Sequence, residues 1–414
     1  MTSHSKSITH TRANDSTFTS TTISNRGFQQ IVRPPDIARL RYKHFIQTIY
    51  YPKMSTDKRK APNDDAYLST ANQLVKRQKS VPRDTGNAVA IASSSKSGAL
   101  IKAIPRTSAL QAPIMELTGH SAEVFAVRFD PTGEHIASGS FDRTVLLWNT
   151  YGDCQNYGEI SGHKGAILDL QWSRDGRSIY TATSDSLVAD WDVETGQRIR
   201  RHIGHEDIVN TIDVSRKGLE LIISGSDDGT IGVWDPRTKE AVDYIETNFP
   251  ITAVAIGDSG TEIYSGGIEN DIKVWDFRKK EVVNHLRGHT DTITSLSVSP
   301  DGQSLLSNAM DSTVRMWDIR PFAAADRTLK VFEGAPYGLE KNLIRASWSP
   351  KGDKIAAGSG DRTACVWDTD SKKLLYKLPG HKGTVNDVRF MPGNEPIIVS
   401  ASSDRNLLLG ELGK

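Results

Sequence analysis

Four histidines in this chain are each followed by a hydroxyl, an aspartate and a tryptophan at nearly fixed distances. His120 precedes Ser138, Asp142 and Trp148, and His163 precedes Thr181, Asp185 and Trp191. His205 precedes Ser224, Asp228 and Trp234, and His289 precedes Ser307, Asp311 and Trp317. Taken singly, hydroxyl, imidazole and carboxylate are the parts of a nucleophilic triad. Taken together they argue the other way. A hydrolase needs one strained nucleophile that reaches solvent, whereas equivalent copies predict polar groups that satisfy one another inside the structure. Asp361, His381 and Asp404 continue the same frame. No P-loop, HExxH, Gly-x-Ser-x-Gly elbow or paired Cys/His ligand set is present. Neither catalysis, a metal, a cofactor nor a small-molecule substrate is therefore expected.

The elements that must position these groups are short strands. Residues 204–235 give the fullest copy: a Gly-His opening, then Val209, Ile212 and Val214 alternating with polar neighbours, a turn, and the apolar run Leu221-Ile222-Ile223. A tight Asp227-Asp228-Gly229 turn leads to Thr230-Ile231-Gly232-Val233-Trp234-Asp235. Such alternation between Gly and Asp turns predicts antiparallel strands. Trp148, Trp191, Trp234, Trp275, Trp317 and Trp367 close corresponding strands at spacings of 43, 43, 41, 42 and 50 residues. Six residues before each stands an acid, Asp142, Asp185, Asp228, Glu269, Asp311 and Asp361, and a seventh copy has Asp404 with Gly410 in place of Trp. Gly-His recurs at 119, 162, 204, 288 and 380.

A period near 42 with a GH opening and a WD close resembles the WD-repeat family, which implies an all-β, seven-bladed propeller. In that family the His, Asp, Ser/Thr and Trp form a buried hydrogen-bond relay. The resemblance implies that role for His120, Asp142, His163, Asp185, His205, Asp228, His289, Asp311, Asp361, His381 and Asp404. Blade four, with Thr247-Asn248 near the GH place, and blade six, with Ala357 for Ser, depart from the pattern and should rest more on packing. The last copy holds three strands. Residues 113–117 have no blade of their own and fit as its missing outer strand, closing the ring and leaving few exposed edges.

The domain boundary follows composition. Residues 1–111 carry 18 Lys/Arg against 6 Asp/Glu, and the remainder 33 against 44. Residues 1–109 read as a disordered basic arm and residues 110–414 as the propeller. Within the arm, residues 1–53 read as an upstream extension, because Met54 opens a segment resembling a protein start. An acidic body is a poor match for phosphate backbones by net charge alone, so any RNA contact is expected to be indirect or through the arm. Lys58-Arg59-Lys60 and Lys76-Arg77-Gln78-Lys79 suit the acidic groove of a nuclear-import receptor. A solvated charge run and loose RNA contact remain open for the same residues. Cys154 and Cys365 have no metal or redox spacing. No apolar run approaches the ~20 residues of a membrane span, and a soluble intracellular chain is expected.

Function then falls to the surface. One ring of positions follows the first apolar residue of each inner strand: Phe125, Leu168, Asn210, Thr252, Thr294, Ile344 and Asn386. A second precedes the acidic turn: Phe141, Ser184, Asp227, Ile268, Met310, Gly360 and Ser403. Phe125, Phe141, Leu168, Ile268, Met310 and Ile344 are the expected partner-binding anchors, because large apolar side chains at a loop-rich rim carry interface energy. The competing reading is that they plug the central channel. An insertion in blade six, residues 321–326 with 333–340, is a second candidate for recognition.

Several stretches resemble a narrower family. Residues 108–115 (SALQAPIM), 149–154 (NTYGDC), 265–276 (SGGIENDIKVWD), 305–323, 340–350 (EKNLIRASWSP) and 374–381 (LLYKLPGH) are similar to the WD-repeat subunits of the U5 small nuclear ribonucleoprotein. The resemblance covers about residues 108–412. It implies a non-catalytic splicing factor that docks on the large U5 scaffold protein, meets other spliceosomal proteins and works in the nucleus. A substrate receptor of a cullin-type ubiquitin ligase and a chromatin- or histone-binding propeller are the alternatives.

Overall fold

The computed structural model describes residues 108–324 and 326–413; residues 1–107, and with them both basic clusters, lie outside the described residues. The described residues hold 28 strands and no helix, arranged as seven four-stranded antiparallel sheets. Each of the first six sheets is made of four consecutive strands. In the first these are β2 (Val124–Phe129), β3 (His135–Ser140), β4 (Val145–Asn149) and β5 (Asn156–Ile160). The first strand of every sheet packs on the first strand of the next, and the seventh returns to the first. The result is a closed seven-bladed propeller.

Closure is made as the strand count predicts. β1 (Ile114–Thr118) pairs antiparallel with β28 (Asn406–Glu411), from Ile114 opposite Gly410 to Thr118 opposite Asn406, outside β27 (Ile397–Ser402) and β26 (Val385–Phe390). Leu117 on β1 packs with Leu407 and Leu409 of β28 and with Val124, Val127 and Trp148 of the first sheet. The two ends of the propeller chain thus share one core.

Why the inner strands read as nearly continuous apolar runs is visible in their surroundings. β2 (VFAVRF) is buried throughout because sheets stack on both of its faces. The outer β5 (NYGEI) is only partly buried and alternates. The cores therefore lie between blades. Ala126, Ala137 and Leu147 of the first sheet meet Ile167, Leu170 and Trp191 of the second. Small residues let the blades approach: a Cβ on Gly139 would stand 2.6 Å from the Ile167 side chain, and one on Gly225 would stand 2.6 Å from Ile251.

The acidic turns share one backbone solution. The residue after each acid takes left-handed φ: Arg143, Ser186, Asn270, Ser312, Arg362 and Arg405 at 59–75°, and Gly229 at 81°. Only the third blade fills this place with the residue that adopts it without steric cost. At Asp142, Asp228, Asp311, Asp361 and Asp404 the carboxylate holds the turn by accepting from the amide two residues on. Asp142 Oδ1, for instance, accepts from the Thr144 amide at 3.0 Å and the Thr144 hydroxyl at 2.7 Å.

Candidate functional site

In the first, third, fifth and seventh blades the histidine sits between its acid and its hydroxyl. His120 Nδ1 donates to Asp142 Oδ2 at 2.9 Å, and its Nε2 meets Ser138 Oγ at 2.7 Å. Trp148 Nε1 donates to the same hydroxyl at 2.9 Å. The corresponding His205 bonds are 2.9 Å to Asp228 and 2.7 Å to Ser224, with Trp234 on Ser224 at 2.8 Å. Those of His289 are 2.8 Å to Asp311 and 2.7 Å to Ser307. His381 joins Asp404 at 3.0 Å and Ser400 at 2.8 Å. Burial works against ionisation of Asp142, Asp228 and Asp311. The histidine bond, the threonine hydroxyl and a backbone amide nevertheless hold each carboxyl well below its usual range. Ser138, Ser224 and Ser307 are 0% exposed beneath their tryptophans, so none of these three hydroxyls faces solvent. The groups satisfy one another, tying the entry loop of a blade to its second and third strands.

The second blade, expected to carry the relay, does not form it, and neither does Asp361 of the sixth. His163 has both ring nitrogens buried without a hydrogen-bond partner, and its ring lies 4.6 Å from that of Trp191. Asp185 accepts instead from Thr183 Oγ1. Asp142, Asp228 and Asp311 are oriented by a threonine two residues on, whereas Asp185 has Leu187 at that place and is bonded by the Thr183 hydroxyl. Burial pushes His163 down to about 3, with Arg198 adding to the shift. In blade six Asp361 has no histidine. It accepts from Thr363 and pairs with Lys377, while Trp367 Nε1 donates to the Glu333 carbonyl at 2.9 Å.

The rim divides in a way that composition did not reveal. Phe125, Leu168 and Ile344, expected as exposed anchors, are buried. Their whole ring of positions faces neighbouring blades near the channel. Its polar members knit those blades together: Asn210 Nδ2 donates to Ile251 O at 2.9 Å, Thr294 to Ile344 O at 2.8 Å, and Asn386 Nδ2 to Val124 O at 2.8 Å. Thr252 donates likewise to Ile293 O. Phe125, Leu168 and Ile344 are the apolar members of this seam. Of the second ring, Phe141 is 38% exposed and edge-on to Phe125 at 6.4 Å. Ile268 and Met310 are half-buried. The blade-six insertion adds to the same face. Gly360 N bonds Pro336 O, Tyr337 N bonds Ser312 Oγ, and Leu339 beside them is fully exposed. Phe322, also fully exposed, lies on the turn after Asp318, at the opposite end of the strands.

Sequence reasoning missed the centre. Arg128 bridges Asp387 and Asp169, its Nη2 standing 3.0 Å from Asp169 Oδ1. Arg345 takes the other Asp169 oxygen at 2.6 Å and also donates to the carbonyls of Leu168 and Asn210. Arg389 Nε lies 2.9 Å from Asp387 Oδ1, and burial pushes its guanidinium down to about 10. Arg128, Asp169, Arg345 and Arg389 border a cavity of ≈ 750 Å³ at the end of the channel where the first strands finish. A signal existed in the charged residues set inside apolar runs: VFAVRF, ILDLQW, VNDVRF.

Comparison with known proteins agrees with this architecture. The family described as WD domain, G-beta repeat matches residues 111–149, 154–189, 196–235, 243–276, 280–318, 337–368 and 372–409. The pre-mRNA-splicing factor cwf17 of Schizosaccharomyces pombe is 50% identical over 309 residues, 75% of this chain and 90% of that protein. The human U5 small nuclear ribonucleoprotein 40 kDa protein is 52% identical over 316 residues, 76% of this chain and 88% of its own. Its Dictyostelium discoideum namesake is 43% identical over 357 residues, 86% of this chain and 99% of that protein.

Proposed function

The chain belongs to the WD-repeat family of U5 small nuclear ribonucleoprotein subunits, and we propose that it serves pre-mRNA splicing as a non-catalytic scaffold. The observation that carries this reading is identity of 50% or more to cwf17 and to the human subunit over about three quarters of this chain and nine tenths of each relative. The sealed relay supports the non-catalytic half: its hydroxyls are satisfied by His and Trp and shielded from solvent.

A scaffold works by holding a partner, and the partner assigned here is the large scaffold protein of the U5 particle, with other spliceosomal proteins around it. Phe141, Ile268 and Met310 with Leu339 offer the apolar contacts on one face. Large apolar anchors with rigid support carry most of an interface's energy. Work in the nucleus follows from this role, with Lys58, Arg59, Lys60, Lys76, Arg77 and Lys79 assigned to import. The test is affinity purification of the full chain from nuclear extract. Recovery of U5 proteins is expected; recovery of cullin subunits or of histones in their place would overturn the reading.

A further inference from the structure

The acidic average of the propeller conceals one basic cleft. Arg198, Ile199, Arg200 and Arg201, on β9 (Arg198–Ile203), line it together with Arg237 and Lys239 from the turn before the last strand of the third blade. No acidic residue lines it, and its volume is ≈ 510 Å³.

Its cations are held in place to different degrees. Arg198 lies over the Trp191 ring at 5.5 Å, and Arg237 pairs with Asp235 at 2.7 Å. Arg200 Nη1 is buried without a hydrogen-bond partner. Among the described residues Arg201 and Lys239 have no ion-pair partner, and Arg201 is exposed between Ile199 and Ile203, themselves 51% and 61% exposed. Like charges gathered this closely repel, and burial together with the neighbouring Arg201 pushes the Arg198 guanidinium down. Arginine on the outermost strand of a sheet also deters edge-to-edge pairing. That purpose needs nothing from the adjoining blade, yet Arg237 and Lys239 come from there.

We propose that this cleft between the second and third blades is a binding site for the phosphate backbone of RNA. The choice of RNA rests on the splicing-particle reading above. Three features favour a phosphate chain over an acidic peptide. Four of the five cations are arginines, whose planar forks suit phosphate oxygens. An added peptide strand would use the edge of β9 alone, whereas Arg237 and Lys239 of the next blade also line the cleft. No aromatic side chain lines the cleft to stack a base, so binding is to backbone and indifferent to sequence.

The test uses the full chain, basic arm included, and compares wild type with Arg201→Ala/Lys239→Ala. A control variant, Lys279→Ala/Lys373→Ala, removes two exposed cations elsewhere. The probes are a 20-nucleotide single-stranded RNA and a duplex of the same length, titrated at several salt concentrations, with a poly-glutamate peptide as competitor. Loss of two phosphate contacts should lower affinity by about tenfold or more and reduce the slope of log affinity on log salt by about one to two. The control variant should bind as wild type does. Unchanged affinity and slope in the cleft variant would overturn the proposal. So would peptide binding that depends on Arg201 and Lys239 while RNA binding does not, which would assign the cleft to an acidic protein segment. A cleft variant that binds RNA as wild type does and still recovers U5 proteins from extract would sink this inference alone. Failure to recover U5 proteins with the wild-type chain would sink the splicing reading.

Discussion

Arg345 of the sixth blade reaches Asp169 of the second, its Nη1 standing 2.6 Å from Oδ2. Those blades are not neighbours in the ring, so the bond crosses the central channel. Arg128 of the first blade occupies the other oxygen of Asp169, and Asp169 Oδ2 also accepts from the Ile212 amide at 3.0 Å. One carboxylate thus ties four blades. Removing one member of a buried ion network leaves its partners charged and unpaired, which costs about 3–5 kcal/mol. Asp169→Ala is expected to lose that much stability in equilibrium urea unfolding. A loss under about 1 kcal/mol would show that the brace contributes little.

The uneven relay predicts uneven mutational costs. Asp228→Ala removes the partner of His205, Thr230 and the Glu206 amide, and should cost roughly 1–3 kcal/mol. Asp185 bonds to the Thr183 hydroxyl and not to its histidine, so Asp185→Ala should cost about 1 kcal/mol less. Parallel unfolding curves of the two variants check the difference. Equal losses would mean that the His–Asp bond adds nothing.

Buried histidines without partners make the fold sensitive to mild acid. Burial pushes His163 to about 3 and His202 to about 4, from an ordinary 6.5. Both are neutral in the native state, and the unfolded chain binds their protons first. The stability they contribute is whole above about pH 6.5 and is lost as pH falls toward their folded values, at up to ~1.4 kcal/mol per pH unit for each. Asp190, which burial pushes up to about 6, also titrates between pH 6.5 and 5, with the opposite sign, but it does so in wild type and variant alike. A His163→Leu/His202→Leu variant should show a flatter loss of stability across that window than wild type. The same slope in both would contradict the assignment.

Arg362 follows Asp361 with φ of 71° and an exposed side chain. Left-handed backbone costs a residue with a Cβ about 1–2 kcal/mol, and glycine far less. Arg362→Gly should raise the melting temperature, corresponding to about 1 kcal/mol. No gain, or a loss, would show that the arginine stabilises the turn by contacts of its own.

The repeat frame was legible because hydrogen bonding repeats with it: Gly-His, acid and Trp recur at fixed intervals, and β1 fits the one blade short of a strand. The relay of the second blade misled because its residue types are complete. There the Thr183 hydroxyl holds Asp185, and that position is not part of the His–Asp–Trp signature. Phe125, Leu168 and Ile344 misled for a different reason. Their place in the strand could be counted, but the closeness of neighbouring inner strands, which buries them, arises only when the ring closes. The Arg345–Asp169 bond joins residues 176 apart in the chain. The apolar runs show that each charge is buried; they do not show which other charge it meets.

The surface proposed to hold the large U5 scaffold protein is the set of apolar side chains on the face of the acidic turns. Phe141 and Met310 reach that face from the first and fifth blades without taking part in the relay or the central network. Truncating such anchors costs roughly 1–3 kcal/mol each in binding, and any folding cost at the half-buried Met310 is read from the unfolding curves. The decisive measurement is the affinity of the full chain for that scaffold protein, wild type against Phe141→Ala/Met310→Ala, with unfolding curves to confirm that the variant is folded. The expected result is a folded variant whose binding is weakened at least about tenfold. A folded variant that binds as tightly as wild type would contradict the proposal.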